Sequence, residues 1–354
     1  MKLLHITATH LKPDGGVPVV LKNLVNEQNS IKDFQAKVIS VVAPVDEMNS
    51  PYFEFVPKRE FVSFIKKYNP DFVILHSFYY MDYNWVVDVL SEHNFRYFIE
   101  PHGSFGNAAM KKSWIKKKIA NHTIFKKQIK NAFGYIFLNS TEKEDSVYRT
   151  QNDLVIPNGI NSLEINHSEI NKQNGNVYFI GRYDIIHKGL DYLFDALDIL
   201  DSEKLSFSFH FWGKGDSDAE GYIKKRISSY RYITVRINSS IYAKEKDKML
   251  EQFGPMILTS RYEGFPMTIL EAWMYGNPCI VTPGTNVADE IKSNNLGWVT
   301  SLDAQEIAKT IKVAVSEYDL NRKYYINHCK EYICDNYDWK VLAQISYAHL
   351  KQLL

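Results

Sequence analysis

Two glutamates eight residues apart, Glu263 and Glu271, bracket the run Gly264-Phe265-Pro266-Met267-Thr268-Ile269-Leu270. Ile257-Leu258 before them reads as the end of a buried strand. Met267–Tyr275 reads as a helix stopped by Gly276 and Pro278, and Cys279–Thr282 as the next strand. Pro266 suits the first helical position, where a missing N–H costs nothing. A strand, a glycine-containing loop and a helix start aim free backbone N–H groups at whatever lies above the loop. The positive end of the helix dipole points the same way, so an anion suits that place. Beside a bound phosphate, the two carboxylates would accept hydrogen bonds from hydroxyls, for which sugar and ribose are the obvious donors.

Two more clusters fall at the ends of predicted strands in the same half. Val177–Ile180 runs into Gly181-Arg182, followed by Lys188-Gly189 and a helix with Leu190, Leu193, Leu197 and Leu200 in register. Phe207–Trp212 runs into Gly213-Lys214-Gly215. Arg182 and Lys188 are fixed cations suited to phosphate oxygens, Arg by a bidentate grip and Lys as a point charge. The glycines allow close backbone approach. The first half offers Gly15-Gly16 after the strand Leu3–Ala8, and His102-Gly103 after the strand Arg96–Ile99. Asp216-Ser217-Asp218 imitates a metal-binding Asp-x-Asp but reads as the first turn of a helix, so no metal site is expected. His76 and His187 read as structural.

The elements that position these residues alternate. Strands are expected at 36–42, 72–75, 135–138, 232–237, 254–259 and 297–299. Helices are expected from Val17, at 58–67 and 81–92, from Thr141, and at 286–293 and 303–317. This is an α/β chain with parallel sheets, which bind ligands at the carboxyl ends of their strands. At 354 residues it suits two cores. The expected division is 1–160, a polar linker at 161–176, a second domain at 177–335, and an amphipathic tail at 336–354 with Val341, Leu342, Ile345, Leu350 and Leu353 at helical spacing.

Composition excludes some classes. A net charge of +1 gives no field for nucleic acid. Cys279, Cys329 and Cys334 have no metal or redox spacing, which suits a reducing compartment. The N-terminus is too short and too quickly polar for a signal peptide, and no run of eighteen apolar residues exists. A cytoplasmic protein is expected. Residues 107–141 contain no Asp or Glu, while Lys111, Lys112, Lys116, Lys117, Lys118, Lys126, Lys127 and Lys130 crowd one stretch. Ile115, Ile119, Phe125, Ile129 and Phe133 recur there at helical spacing, beside Trp114. This predicts one helix with a core-facing stripe and a basic face drawn to anionic lipid, a peripheral attachment to the inner face of the cytoplasmic membrane.

Taken together these motifs resemble the retaining glycosyltransferases of family 4, of the bacterial surface-polysaccharide type, over nearly the whole chain. The residues that carry the resemblance are Gly15-Gly16, His102-Gly103, Ile156-Pro157-Asn158-Gly159-Ile160, Gly181-Arg182 with Lys188-Gly189, Glu263-Gly264-Phe265-Pro266 with Leu270-Glu271-Ala272, and Gly276-Asn277-Pro278. The resemblance implies the GT-B fold: two Rossmann-like domains facing a cleft, with the C-terminal helix crossing back to the first. It implies a nucleotide diphosphate sugar as donor, UDP before GDP, carrying a hexose or N-acetylhexosamine. The acceptor would be a saccharide or lipid-linked, and no cofactor or metal is expected. Arg182 and Lys188 would neutralise the diphosphate, with Gly181, Gly213, Gly264 and Phe265 around the donor. Glu271 would bind the ribose and Glu263 the donor sugar. The N–H groups near Thr268, Ile269 and Leu270 would touch phosphate. His102 would reach the sugar, and Gly15-Gly16 would close on the diphosphate. The alternatives are a nucleotide-sugar epimerase or hydrolase on the same fold, and a non-catalytic nucleotide-binding module.

Overall fold

A computed structural model describes residues 1–8, 16–45, 48–107, 110, 114–162, 172 and 175–354. Gly15, Lys111 and Lys112 lie outside the described residues. The chain divides into two compact units. One comprises Met1–Gly159 with Asp338–Leu354, and the other Ile160–Tyr337.

The first unit is built on a seven-stranded parallel sheet. Its strands are β1 (Lys2–Thr7), β2 (Gln35–Ser40), β3 (Phe53–Phe55), β4 (Phe72–His76), β5 (Tyr97–Glu100), β6 (Gly134–Phe137) and β7 (Leu154–Val155), in the order β3-β2-β1-β4-β5-β6-β7. Strands β4, β5 and β6 are buried at every position. Near-continuous apolar runs such as FVIL mark strands covered on both faces. Among the described residues the helices beside the sheet include α1 (Gly16–Ser30), α2 (Lys58–Tyr68), α3 (Asp82–Glu92), α4 (Trp114–His122), α5 (Lys126–Asn131) and α6 (Ser140–Asp145). Asn139 starts α6 by accepting from the Glu142 N–H at 2.7 Å, a cap worth about 1 kcal/mol.

The basic stretch departs from its expected form. It is two helices, α4 and α5, separated at Thr123, where the Thr123 hydroxyl and N–H both turn back onto the Ile119 carbonyl. The break rotates the apolar stripe out of register. Phe125 is buried, but Ile115 is 57% and Ile119 60% exposed, with Trp114 at 57%. The inward face is polar instead. Asn121 donates to the hydroxyls of Tyr79 and Tyr148, and Gln128 donates to Asn84.

The second unit repeats the plan with six parallel strands: β8 (Asn176–Ile180), β9 (Ser208–Trp212), β10 (Thr234–Asn238), β11 (Met256–Leu258), β12 (Cys279–Val281) and β13 (Gly297–Val299), in the order β10-β9-β8-β11-β12-β13. Its helices are α7 (Leu190–Ser202), α8 (Ser217–Ile227), α9 (Ala243–Gln252), α10 (Met267–Met274), α11 (Ala288–Ser293) and α12 (Ala304–Asn336). Asp216 caps α8 by accepting from the Ala219 N–H at 2.8 Å, as its sequence predicts. Helix α12 runs well past the expected 317. It bends at non-helical Asn321 and continues because Cys329 and Ile333 are buried beyond the bend. Trp273, Tyr178 and Phe179 are fully buried in this core, at about 1.5–3 kcal/mol for each such side chain. Lys172, in the stretch that reads as a linker, is buried in this unit and donates to the carbonyls of Leu250 and Phe253 at 2.9 Å.

The last helix, α13 (Trp339–Lys351), belongs to the first unit. Trp339, Leu342 and Ala343 pack with Val20 and Leu24 of α1. Gln28 reaches Ser346 at 3.2 Å, and Arg96 reaches the Leu353 carbonyl at 2.9 Å.

Candidate functional site

In both sheets the strand order reverses beside the first strand, between β1 and β4 and between β8 and β11. Such a reversal opens a crevice at the carboxyl ends, where ligands bind in open α/β sheets. In the second unit the motif residues gather around that crevice. Gly181-Arg182 follows β8, Gly213-Lys214 follows β9, and the glutamate stretch follows β11.

Lys188 Nζ lies 2.6 Å from Glu263 Oε1, with the two side chains 16% and 12% exposed. The same oxygen accepts from the Ser260 hydroxyl at 2.5 Å, and Asn286 Nδ2 holds the Glu263 backbone carbonyl at 2.6 Å. Lys246 Nζ of α9 lies 2.5 Å from Glu271 Oε1. Each carboxylate is therefore held in an ion pair with an ammonium, and Glu271 with its Lys246 lines the cavity described below. Arg182 differs. Its side chain is 69% exposed and approaches Asp184 at only 3.4 Å, so its guanidinium can reach a ligand at little cost. His187 stacks on Tyr262 at 4.1 Å between ring centres and bonds the Tyr262 carbonyl at 2.7 Å.

Two glycines permit the close backbone approach. Gly189 has φ +63°, and a Cβ there would lie 2.1 Å from the Thr259 carbonyl oxygen. A Cβ on Gly213 would lie 1.9 Å from the Gly181 carbonyl oxygen. The Gly181 and Gly213 loops line a cavity of about 340 Å³ that also includes Arg182, Lys214, Lys246, Thr268 and Glu271. Helix α10 begins at Met267 with Pro266 one place earlier than expected, at the N-cap, where it supplies no side-chain cap. The first-turn N–H groups at Met267 and Thr268 thus have no capping side chain. Phe265 packs partly buried against Tyr337, at 5.7 Å between ring centres. Ile269 and Leu270 are core residues, offering a ligand only their backbone.

The cavity of the second unit thus brings together Gly181, Arg182, Gly213, Thr268 and Glu271, whereas Lys188 and Glu263 pair with each other outside its lining, with Gly264 next in the chain. His102 and Gly16 belong to the first unit, where Gly16 opens α1 and His102 follows β5. Two residues on the glutamates are not singled out by the sequence: Ser260, on Glu263, and Lys246, on Glu271. Ser260 stands three residues before Glu263, a local spacing that a sequence pattern can carry. Lys246 lies in the polar run Lys244-Glu245-Lys246-Asp247-Lys248, which carries no signal for a site.

Residues 162–331 match the family model described as glycosyl transferases group 1. The match is to the second unit, which is similar to that family over 162–331. Among curated proteins, a 41.2 kDa protein of the cps region of Klebsiella pneumoniae is 25% identical over 187 residues, 52% of this chain and 45% of that protein. The alpha-1,3/1,6-mannosyltransferase ALG2 of Candida glabrata is 24% identical over 193 residues, 51% of this chain and 41% of that protein. The chain thus spans less than half the length of these curated relatives. Among solved structures, Anabaena Alr3699/HepE in complex with UDP and glucose superposes with a TM-score of 0.71 at 16% identity, over 99% of this chain and 100% of that one. The lipopolysaccharide outer core galactosyltransferase WaaB, in its apo form, gives 0.68 at 18% identity over the full length of both. These likenesses show the fold alone, the GT-B fold with two Rossmann-like units.

Proposed function

We propose that the chain is a retaining glycosyltransferase that moves a hexose or N-acetylhexosamine from a nucleotide diphosphate sugar to a saccharide or lipid-linked acceptor of a surface polysaccharide or glycolipid. UDP is favoured as the carrier, because UDP is what the HepE structure holds, and GDP stands second. The reading is carried by one observation: Lys188–Glu263 and Lys246–Glu271 flank the uncapped start of α10, beside Arg182. The helix start and the cations suit a diphosphate, and the carboxylates suit hydroxyls on either side of it.

Breaking the glycosidic C–O bond places negative charge on the departing diphosphate. Arg182 and Lys188 stabilise it there, and fixed donors of this kind each contribute about 10²–10³ in rate. They do so without a metal ion. Glu271 holds the ribose, Glu263 orients the donor sugar, and His102 is assigned a contact to that sugar. The leaving phosphate assists removal of the acceptor proton on the face it vacates, so the anomeric configuration is retained.

The acceptor side is read from α4 and α5. Trp114, Ile115, Ile119 and Ile124 are exposed beside Lys116, Lys118 and Lys126. Lysines near an anionic surface contribute about 1 kcal/mol each, and the apolar side chains add insertion into the headgroup layer. No described helix is long and apolar enough to cross a membrane. Flotation with anionic vesicles at low salt tests this part, and a protein that stays at the bottom of the gradient removes it.

The donor is tested by a thermal-shift panel of UDP, GDP, ADP and their sugar conjugates. Ligand at 100 times its Kd stabilises by about 2.7 kcal/mol. A shift with one base supports the reading. Rapid loss of the nucleotide sugar without acceptor would point to an epimerase or hydrolase instead, and no shift with any nucleotide counts against the donor site.

A further inference from the structure

The first unit holds a buried string of polar side chains at its own sheet reversal. His102 Nε2 lies 3.5 Å from Glu100 Oε1, a long approach. Glu100 Oε2 lies 3.2 Å from His76 Nδ1, and neither His76 Nδ1 nor His102 Nε2 makes a hydrogen bond of ordinary geometry, so both are buried polar atoms that need a partner. His76 Nε2 lies 2.8 Å from His5 Nδ1, and His5 Nε2 lies 3.1 Å from Gln28 Oε1. Gln28 Nε2 then donates to the Ser346 hydroxyl on α13 at 3.2 Å. His5, Gln28, His76, Glu100 and Ser346 are all buried, none more than 7% exposed. The rings stack, His5 on His76 at 5.1 Å and His76 on His102 at 5.9 Å. His102 takes φ +47°, uncommon for a residue with a Cβ, which is a strained way to place a ring.

Proton counting along the string gives it a direction. The Gln28 carbonyl oxygen accepts, so His5 carries its proton on Nε2 and offers a lone pair at Nδ1. His76 Nε2–H donates to that lone pair. A neutral His76 then has a lone pair at Nδ1, aimed at Glu100 Oε2. Two lone pairs at 3.2 Å in a dry interior repel, and one proton between them removes the conflict. That proton makes either an imidazolium–carboxylate pair or an imidazole beside a carboxylic acid. Separating charge among groups this buried carries a desolvation cost that one short pair does not recover, so the neutral arrangement wins.

We propose that Glu100 stands as a neutral carboxylic acid whose hydroxyl donates to His76, and that its carbonyl oxygen holds His102 with the proton on Nε2 and the acceptor lone pair on Nδ1. His5, His76 and Glu100 are then positioning residues for His102. The inference rests on the reading of His102 as a contact to the donor sugar, where an acceptor nitrogen takes a hydrogen bond from a sugar hydroxyl.

The surroundings agree. Burial raises the Glu100 carboxyl, against the opposing pull of His102 and His5. Burial lowers His5 and His76 to about 3 and lowers His102. Glu142 on α6 faces Glu100 as a second carboxyl and accepts from the N–H groups of Gly103 and Leu138. On α3, the Tyr83 hydroxyl donates to the His76 carbonyl at 2.6 Å. No cation from α1, α3, α6 or α13 faces the string among the described residues. His76, Glu100 and His102 are also of a type that holds metals, and their ligand atoms lie within 4.8 Å of one another. A tetrahedral zinc with bonds of about 2.0–2.1 Å spaces its ligands by about 3.3 Å. The Glu100 oxygens lie 3.2 and 3.5 Å from the two ring nitrogens, close to that spacing, but each ring faces a different oxygen, so the dialysis experiment below decides between a metal and a proton.

Glu100→Gln separates the possibilities. Its amide donates to His76 and its carbonyl accepts from His102, so it copies the acid and not the carboxylate. Infrared difference spectra of wild type against E100Q, on the full chain without ligand, should show a protonated-carboxyl C=O band. The band should be constant from about pH 6 to 8 and shift in D2O. ¹⁵N-histidine NMR should place the protons of His5 and His102 on Nε2 in both proteins. With donor and acceptor, E100Q should keep kcat within about 3-fold, whereas Glu100→Leu should lower it by about 100-fold through misplacement of His102. The inference is overturned by a carboxylate band alone at pH 7, by His5 protonated on Nδ1, or by one zinc retained through dialysis and lost in His76→Ala. The spectroscopic results do not depend on turnover. If they hold while no donor is consumed, the transferase reading fails and the neutral string stands.

Discussion

Replacing Glu271 with alanine tests the donor site most directly. In the free protein Glu271 Oε1 holds Lys246 at 2.5 Å, with the side chains 21% and 23% exposed. A ribose offers the carboxylate two hydroxyls. Hydrogen bonds to a charged group are each worth about 1.5–3 kcal/mol. Two of them set an upper range of about 3–6 kcal/mol. Against this, the freed Lys246 regains water and draws closer to the diphosphate, an offset of about 1 kcal/mol for a pair this accessible. The ribose hydroxyls also recover water, so the lower half of the range applies. We expect a net loss of about 2–3 kcal/mol, roughly 30–150-fold in Kd. Folding stability should change by only about 1 kcal/mol, because the pair is partly solvated. Isothermal titration with the nucleotide that gives the thermal shift measures the first quantity, and urea unfolding the second. Glu271→Gln, which keeps an acceptor and loses the charge, should fall between. Lys246→Ala should cost less than about 1 kcal/mol of affinity. A folded Glu271→Ala protein that binds every nucleotide as wild type does would refute the placement. If Lys246→Ala is as damaging as Glu271→Ala, the lysine is the binding group and the carboxylate only holds it.

Three other outcomes follow from the same geometry. Glu263→Ala should lower kcat more than it weakens nucleotide binding, because Glu263 is assigned to the sugar and not the nucleotide; equal losses in titration and steady-state assays would move it to the nucleotide. Gly189→Ala places a Cβ 2.1 Å from the Thr259 carbonyl at φ +63°, and should cost about 2 kcal/mol or more in a denaturant melt; a variant as stable as wild type would show that the loop tolerates a shift. Acid should unfold the protein steeply, since burial lowers His5 and His76 to about 3 in the folded state against about 6.5 in the unfolded chain. Between those values the unfolded chain binds more protons, so stability is present above about pH 6.5 and falls toward pH 3, by up to about 1.4 kcal/mol per pH unit for each histidine; unchanged urea midpoints at pH 7 and pH 4.5 would contradict it.

What the sequence determined by itself is the set of strands and the residues at their ends. Buried parallel strands are short apolar runs between turn residues, so FVILH and NVYFI are legible one at a time. A glycine or a cation directly after such a run needs no tertiary knowledge to be placed at a carboxyl end, which is why Arg182, Lys188, Glu263 and Glu271 could be named together. Local caps are legible for the same reason, as at Asp216.

The tertiary structure decided everything that depends on partners far apart in the chain. Lys246 meets Glu271 across 25 residues, and no spacing rule joins them. The basic stretch has the composition of one amphipathic helix. Only the turn at Thr123 and the polar partners of Asn121 and Gln128 decide that Ile115 and Ile119 face outward. His76 reads in isolation as a structural histidine. Folding sets it between His5, 71 residues before it, and Glu100 on the next strand, because parallel strands bring side chains of distant segments into one row. Periodicity records which face of an element is apolar. It does not record which polar side chain another strand will place opposite, and in the first unit that pairing sets His5, His76 and His102 around Glu100.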